Sequence, residues 1–268
     1  MGSKLATKCS QNAKEKKNNI IKAELYLRAI LPTLSDLVKV DTKAKSIIEN
    51  RKISILLNLR NVTKTLLKVD NGKIISITNP NECGNIHLYF ISPEHALGVF
   101  EQGKLPILLR GFTKISFLRN EFDALSKRLE YFLKPTENLS LDERKISVAL
   151  QFKSALRMGE VLGETDEVCQ TILKNTTPGI LKISIDEIGF EAYFGNINGK
   201  WKYIECPDKG QAVSSTLSFK NLETAEAMLT NKLDTFSALG LGNIQIWGLV
   251  PIIDNVGLVL SRINYFIS

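Results

Sequence analysis

The side chains best suited to chemistry at neutral pH are few in this chain of 268 residues: two histidines, His87 and His95, and four cysteines, Cys9, Cys83, Cys169 and Cys206. A general base would be sought first among the histidines. His87 stands between Ile86 and Leu88 on a predicted strand, on the face opposite that apolar pair, and His95 falls in the first turn of a predicted helix. Both read as structural or surface residues. The cysteines form no C-x-x-C and have no histidine at ligand spacing, so neither a zinc site nor a disulfide framework is expected, and the thiols read as buried or idle. The stretch "LGLGN" offers Gly240 and Gly242, but the third glycine of a dinucleotide fingerprint would fall at Gln245, and a loose connection is the plainer reading. Neither a G-x-x-x-x-G-K-[ST] phosphate loop nor a G-x-S-x-G nucleophile turn occurs. The carboxylate clusters Asp186-Glu187 and Glu164-Asp166-Glu167 read as solvated turns and helix N-termini. The expectation is a non-enzymatic protein with no cofactor and no metal.

Composition suits a soluble, cytoplasmic, globular protein: 44% hydrophobic and 24% charged residues, with no apolar run approaching bilayer length, so that neither a transmembrane helix nor a secretory signal is expected. The net charge of +7 is unevenly placed. Five lysines and one glutamate in residues 1–17 give +4, and the remaining 30 basic and 27 acidic residues give +3. Residues 1–19, rich in Lys and Asn, are therefore expected to be a disordered tail, able at most to make a weak contact with an anionic membrane, and no nucleic-acid partner is expected.

Beyond the tail, the hydrophobic period alternates between helical and extended. Leu27, Ile30, Leu31, Leu34, Leu37 and Val38 predict a helix kinked by Pro32, and Asp41 is placed to cap a short helix bearing Ala44, Ile47 and Ile48. Alternation at Ile53, Ile55, Leu57 and Leu59 predicts a strand, and Asn71-Gly72 a hairpin turn. Ser92, Pro93 and Gly103 bracket another helix. A strand near "LLRGFTKISF" precedes a helix with the stripe Phe122, Leu125, Leu129 and Phe132. The same order then recurs. Ser140 and Glu143 form a capping box; Cys169, Ile172 and Leu173 follow Ala44, Ile47 and Ile48 by 125 residues; Asn198-Gly199 follows Asn71-Gly72 by 127; and Ala225, Met228 and Leu229 follow Ala96, Val99 and Phe100 by 129. Val256, Val259, Ile263 and Phe266 follow the Phe122 stripe by 134. Slowly rising offsets are the signature of a duplicated unit with small loop insertions. Residues 20–134 and 140–268 are read as two α+β copies joined by a short linker, 135–139.

Those residues carry a resemblance to the sterol carrier protein type two fold family. In the first copy it rests on Asn71-Gly72, Ser92-Pro93-Glu94 and Gly103-Lys104; in the second, on Asn198-Gly199, Asn221-Leu222-Glu223, Asn231-Lys232 and the strand-end Gly248 after "NIQIW". The first copy departs at that last place, carrying Phe117. The resemblance implies, for each unit, a mostly antiparallel five-stranded sheet covered by helices, with an apolar tunnel accepting lipids. It also covers accessory domains that use no tunnel. Apolar stripes on the closing helices would line such a cavity, where burial contributes roughly 0.8 kcal/mol per methylene of a ligand. The expected ligand-binding residues are Phe100, Phe122, Leu125, Leu129, Phe132, Met228, Trp247, Val256, Val259, Ile263 and Phe266, with ordinary core packing as the alternative for each stripe. The expected partner is accordingly a hydrophobic small molecule or lipid, or, if the cavities are closed, a protein docked by an accessory module.

Overall fold

A computed structural model describes residues 2–135, 138–208, 210–230 and 232–267, with side chains from residue 13 onward. Thr136 and Glu137 of the expected linker and Asn231 of the expected second-copy turn lie outside the described residues.

In the first half, helix α1 (Gly2–Leu25) widens into a π turn (Tyr26–Ile30) and tightens into a 3-10 turn (Leu31–Thr33) before α2 (Leu34–Val40). Pro32 lacks a donor N–H, so the regular ladder cannot pass through it, and the 3-10 turn falls there. After α3 (Thr42–Ile47) come strands β1 (Lys52–Leu59), β2 (Thr63–Asp70), β3 (Lys73–Thr78) and β4 (Ile86–Phe90). Helix α4 (Pro93–Gln102) starts at Ser92, whose Oγ accepts from the His95 amide, and ends at the left-handed Gly103. The outer strand β5 (Ile107–Arg110), a single turn α5 (Ile115–Phe117), a π turn (Leu118–Phe122) and α6 (Asp123–Leu133) complete it.

The second half opens with α7 (Leu141–Thr165), whose Ser140–Glu143 capping box is complete, and α8 (Glu167–Lys174). Strands β6 (Gly179–Ile185), β7 (Phe190–Ile197), β8 (Lys200–Ile204) and β9 (Val213–Phe219) lead to α9 (Leu222–Leu229). A short helix α10 (Thr235–Gly240), the outer strand β10 (Ile244–Gly248), α11 (Val250–Ser261) and α12 (Asn264–Ile267) close the chain. The fold class is α+β, with 53% helix and 25% strand.

Each half builds one five-stranded sheet, ordered β3-β2-β1-β4-β5 and β10-β9-β6-β7-β8. In both, the first three strands form an antiparallel meander, the fourth lies parallel to the first, and the fifth runs antiparallel to the fourth. The alternation read from the sequence sets which face is covered: Ile53, Ile55, Leu57 and Leu59 are all buried. A glycine ends the outer strand in both sheets. Gly111 and Gly248 both have positive φ, and a Cβ there would lie 2.9 Å from Asn85 O in the first sheet and 2.1 Å from Ser214 O in the second. The first sheet therefore has a strand-end glycine as well, at Gly111 and not at Phe117.

Two further expectations are corrected. Residues 2–19 do not precede the first helix as a disordered tail; their backbone is the start of α1. Lys, Ala, Gln and Glu are good helix formers and no proline interrupts them, so polarity here leaves Lys14, Lys16 and Lys17 exposed without unwinding the chain. The end of α1 is anchored on α4: Lys22 pairs with Glu101 at 2.8 Å, and Tyr26 stacks on Phe100 with ring centroids 5.0 Å apart. The compact units are Met1–Arg128 and Leu129–Phe266, so the division falls inside α6 and not at 135–139. The last turn of α6 is held by α7, where Ser147 Oγ donates to Phe132 O at 2.6 Å and Gln151 Nε2 donates to the same oxygen at 3.3 Å.

Candidate functional site

An acid–arginine pair of the same design fastens the closing helix in each unit. In the first, Asp41 caps α3 by accepting from the Ala44 amide at 3.1 Å, and Arg128 of α6 donates to it through Nε at 2.8 Å and Nη2 at 3.2 Å. In the second, Asp166 accepts from the Cys169 amide at 3.2 Å and from Arg262 Nε and Nη2 at 3.1 and 3.3 Å. Such two-pronged pairs fix orientation as well as position. Each therefore sets the rotation of its closing helix, and with it the direction of the apolar stripe.

The stripes are interior. Leu125 in the first unit, and Leu129, Phe132, Val256, Val259, Ile263 and Phe266 in the second, are all buried. Phe122 is only half-buried, because it ends the π turn before α6 and the wider turn swings it off the stripe. Phe100 packs elsewhere, half-buried between Tyr26 and Phe90. Met228 and Trp247 are corrections to the expected cavity lining: both are exposed, Trp247 by 57%. The β9–β10 register explains Trp247. It faces Thr216 on the outer strand, beyond the area that α11 covers. Met228 lies near the end of α9, past the buried positions Leu222, Thr224 and Ala225.

Phe236 on α10, Leu241 just after it, Leu249 and Val250 at the start of α11, and Leu258 further along α11 are also exposed large apolar side chains. Residues Val250–Ile267 also reach the length and hydropathy of a membrane-crossing helix, a mean of 1.2 over 18 residues, with 28% of the stretch buried. Asp254 and Arg262 divide this stretch, so no continuous apolar run marks it in the sequence. Its inner face, Ile252, Val256, Val259, Ile263 and Phe266, packs in the unit, and the remainder leaves apolar groups uncovered. The first unit shows a smaller version after α4, where Leu105, Leu109 and Phe112 are exposed.

No family model matches the chain, and no curated protein matches it. The chain is similar to solved sterol carrier proteins. Sterol carrier protein 2 from Yarrowia lipolytica, in its apo form, is 13% identical, with a TM-score of 0.32 over 42% of this chain and 89% of that one. The sterol carrier protein domain 2 of Helicoverpa armigera is 18% identical, with a TM-score of 0.30 over 43% and 87%. Sterol carrier protein 2 like 2 from Aedes aegypti is 16% identical, with a TM-score of 0.22 over 38% and 95%.

The residues considered first for chemistry have structural surroundings. His95 Nδ1 accepts from the Ile91 amide at 3.2 Å and its Nε2 donates to Leu105 O at 3.1 Å, so the ring staples the two ends of α4 together. Burial, followed by the charge of Lys64, holds His87 below the ordinary imidazole value, and its Nε2 accepts from Asn58 Nδ2 at 3.3 Å. Burial, reinforced by Asp166, pushes the Cys169 thiol up to about 12, which leaves it unreactive; Cys83 and Cys206 are exposed. Among the described residues, no group of three or more His, Cys, Asp or Glu gathers as a metal site.

The first acid–arginine pair makes a pH prediction. Burial alone would raise the Asp41 carboxyl, but the hydrogen bonds and charge of Arg128, with the backbone donors of Ala44 and Lys43, outweigh it and hold Asp41 below its ordinary 3.8. The unfolded chain then binds the proton more readily. The pair's stabilisation is complete above pH 3.8 and is lost as pH falls toward the lower folded value. Arg128→Met should reduce stability at neutral pH and flatten the acid limb of a stability-against-pH curve from denaturant titrations. An acid limb identical to the parent's would contradict the pairing.

Proposed function

We propose that this chain is a tandem duplication of a sterol-carrier-like unit that binds, without catalysing a reaction on it, a hydrophobic small molecule such as a lipid or acyl compound. The duplication is supported by the shared strand order and pairing of the two sheets, by the Asp41–Arg128 and Asp166–Arg262 pairs, and by Gly111 and Gly248 at the two strand ends. Binding rests on one observation: the apolar surface of α10, β10 and α11 lies uncovered on the other side of a helix whose inner stripe forms the second unit's core. Large apolar side chains left exposed on successive elements mark a place where something apolar is bound. A molecule taken up at Trp247, Leu249 and Leu258 has the stripe Val256, Val259 and Ile263 beneath it, reached by a shift of α11.

Trp247 reports on this directly, since the only other tryptophan, Trp201, is 1% exposed. Adding oleate to the delipidated full chain should shift the emission to the blue, with quenching by a brominated analogue. Trp247→Phe should abolish both responses. An unchanged emission together with ligand-free protein in native mass spectrometry would overturn the proposal. The uncovered outer strand β10 favours a second reading, an accessory module that docks a protein along this edge. A stoichiometric protein partner recovered without lipid would favour it.

A further inference from the structure

A polar recess in the first unit lies at the β1–β2 turn. It is an open recess of about 560 Å³, lined by Arg60, Lys64, Asn58, Asn79, Asn81 and Tyr89 among others, with no acidic residue in its wall. Among the described residues, neither Arg60 nor Lys64 has an ion-pair partner. Asn79 spends its carbonyl oxygen on the Lys64 amide at 3.1 Å and on Thr63 Oγ1 at 3.4 Å, which leaves its amide N–H groups as donors toward the recess. The same place in the second unit carries reversed charges. Leu59 lies opposite Phe90 as Ile185 lies opposite Phe219, so Asp186 stands where Arg60 does. Lys64 pairs with Asn58 as Glu191 pairs with Ser184, so Glu191 stands where Lys64 does.

The two sets of charges also differ in how they are satisfied. In the second unit Asp186 accepts from Ser218 Oγ at 2.7 Å, and Glu191 pairs with Lys182 and accepts from Tyr193 Oη at 2.6 Å. In the first unit the cations have no internal counterpart, and the charge of Lys64 reaches as far as His87. Two uncompensated cations and amide donors around a polar recess match a dianionic oxyanion, and a guanidinium fork suits phosphate. A space within the usual size range of small-molecule sites holds more than the anion alone.

We infer that this recess binds a phosphate monoester with a small polar body, its phosphate held between Arg60 and Lys64. The group can belong to a soluble metabolite or to a lipid headgroup. Amide resonances of the full chain should be followed on titration with glycerol 3-phosphate, and flotation measured with phosphatidylcholine vesicles with and without phosphatidic acid. Shifts confined to residues 58–64 and 79–81 with glycerol 3-phosphate support a soluble ligand. Flotation only with phosphatidic acid supports a headgroup. In either case the doubly reversed variant R60D/K64E, whose sites lie on an exposed turn and strand end, should bind at least about 10-fold more weakly, with an unchanged circular dichroism spectrum. Absence of both responses, or equal binding by the variant, overturns the inference.

Discussion

Trp201→Ala is expected to destabilise the second unit by about 3–5 kcal/mol, the range for emptying a large aromatic site in a packed core. Trp201 is 1% exposed and lies flat on Phe194, with ring centroids 5.3 Å apart and planes 6° from parallel. Its Nε1 donates to Cys169 O at 3.4 Å, so the side chain also ties β8 to α8. Helix α7 approaches this pair closely because two of its residues have no side chain. A Cβ on Gly159 would lie 3.0 Å from Phe194 Cζ, and one on Gly163 would lie 2.6 Å from Trp201 Cδ1. Gly163→Ala therefore sets a helix-propensity gain of about 1 kcal/mol against an overpacking cost of about 1–3 kcal/mol, and a net loss is expected. Denaturant titrations followed by circular dichroism separate the two variants: Trp201→Ala loses packing area, whereas Gly163→Ala only pushes the pair apart. A loss below 1 kcal/mol for Trp201→Ala would mean that α7 is seated by other contacts.

This keystone was only partly legible in the sequence, and the reason is general to the chain. Features decided by local chemistry were read correctly: the caps Asp41, Ser92 and Ser140, the Asn-Gly turns, and the alternation of β1 all depend on neighbours within a few residues. Features decided across the sheet were not. Trp201 and Trp247 look alike in the sequence, yet one faces α7 and the other lies beyond the cover of α11. The six-residue α10 was missed because "TFSALG" is too short to show a period; only its Asp234 cap, accepting from Phe236 and Ser237, announces it. The cationic recess was equally hidden, since Arg60, Lys64 and Asn79 come together only when β3 returns beside β2. The buried stripe was the legible half of the candidate site. Its uncovered outer side was hidden because α11 is apolar on both faces, a pattern that by itself suggests a helix enclosed all round.

Arg262→Met is the second large effect, expected to cost about 2–4 kcal/mol, somewhat less than the range for a fully buried pair because the arginine is about a quarter exposed. The substitution leaves Asp166, 7% exposed at its side chain, with the Cys169 amide as its remaining partner in this cluster. It also removes the guanidinium from above Tyr265, 4.1 Å from the ring centroid, and from beside Phe266 at 5.3 Å. Hydrogen bonding to Asp166 raises the Arg262 guanidinium pKa further, so the arginine keeps its charge throughout the neutral range. Asp166→Asn keeps an oxygen for the cap and removes only the charge, so a double-mutant cycle with Arg262→Met isolates the pair. A coupling near zero would show that α11 is held by its stripe alone. The same variant separates the two readings of that stripe. If Val256, Val259 and Ile263 only fill a core, a loosened α11 lowers stability and leaves the oleate response of Trp247 as it was. If a ligand reaches them by displacing α11, the variant should be less stable and yet bind oleate more tightly, because part of the cost of moving the helix has already been removed. Opposite signs for stability and uptake are the expected result.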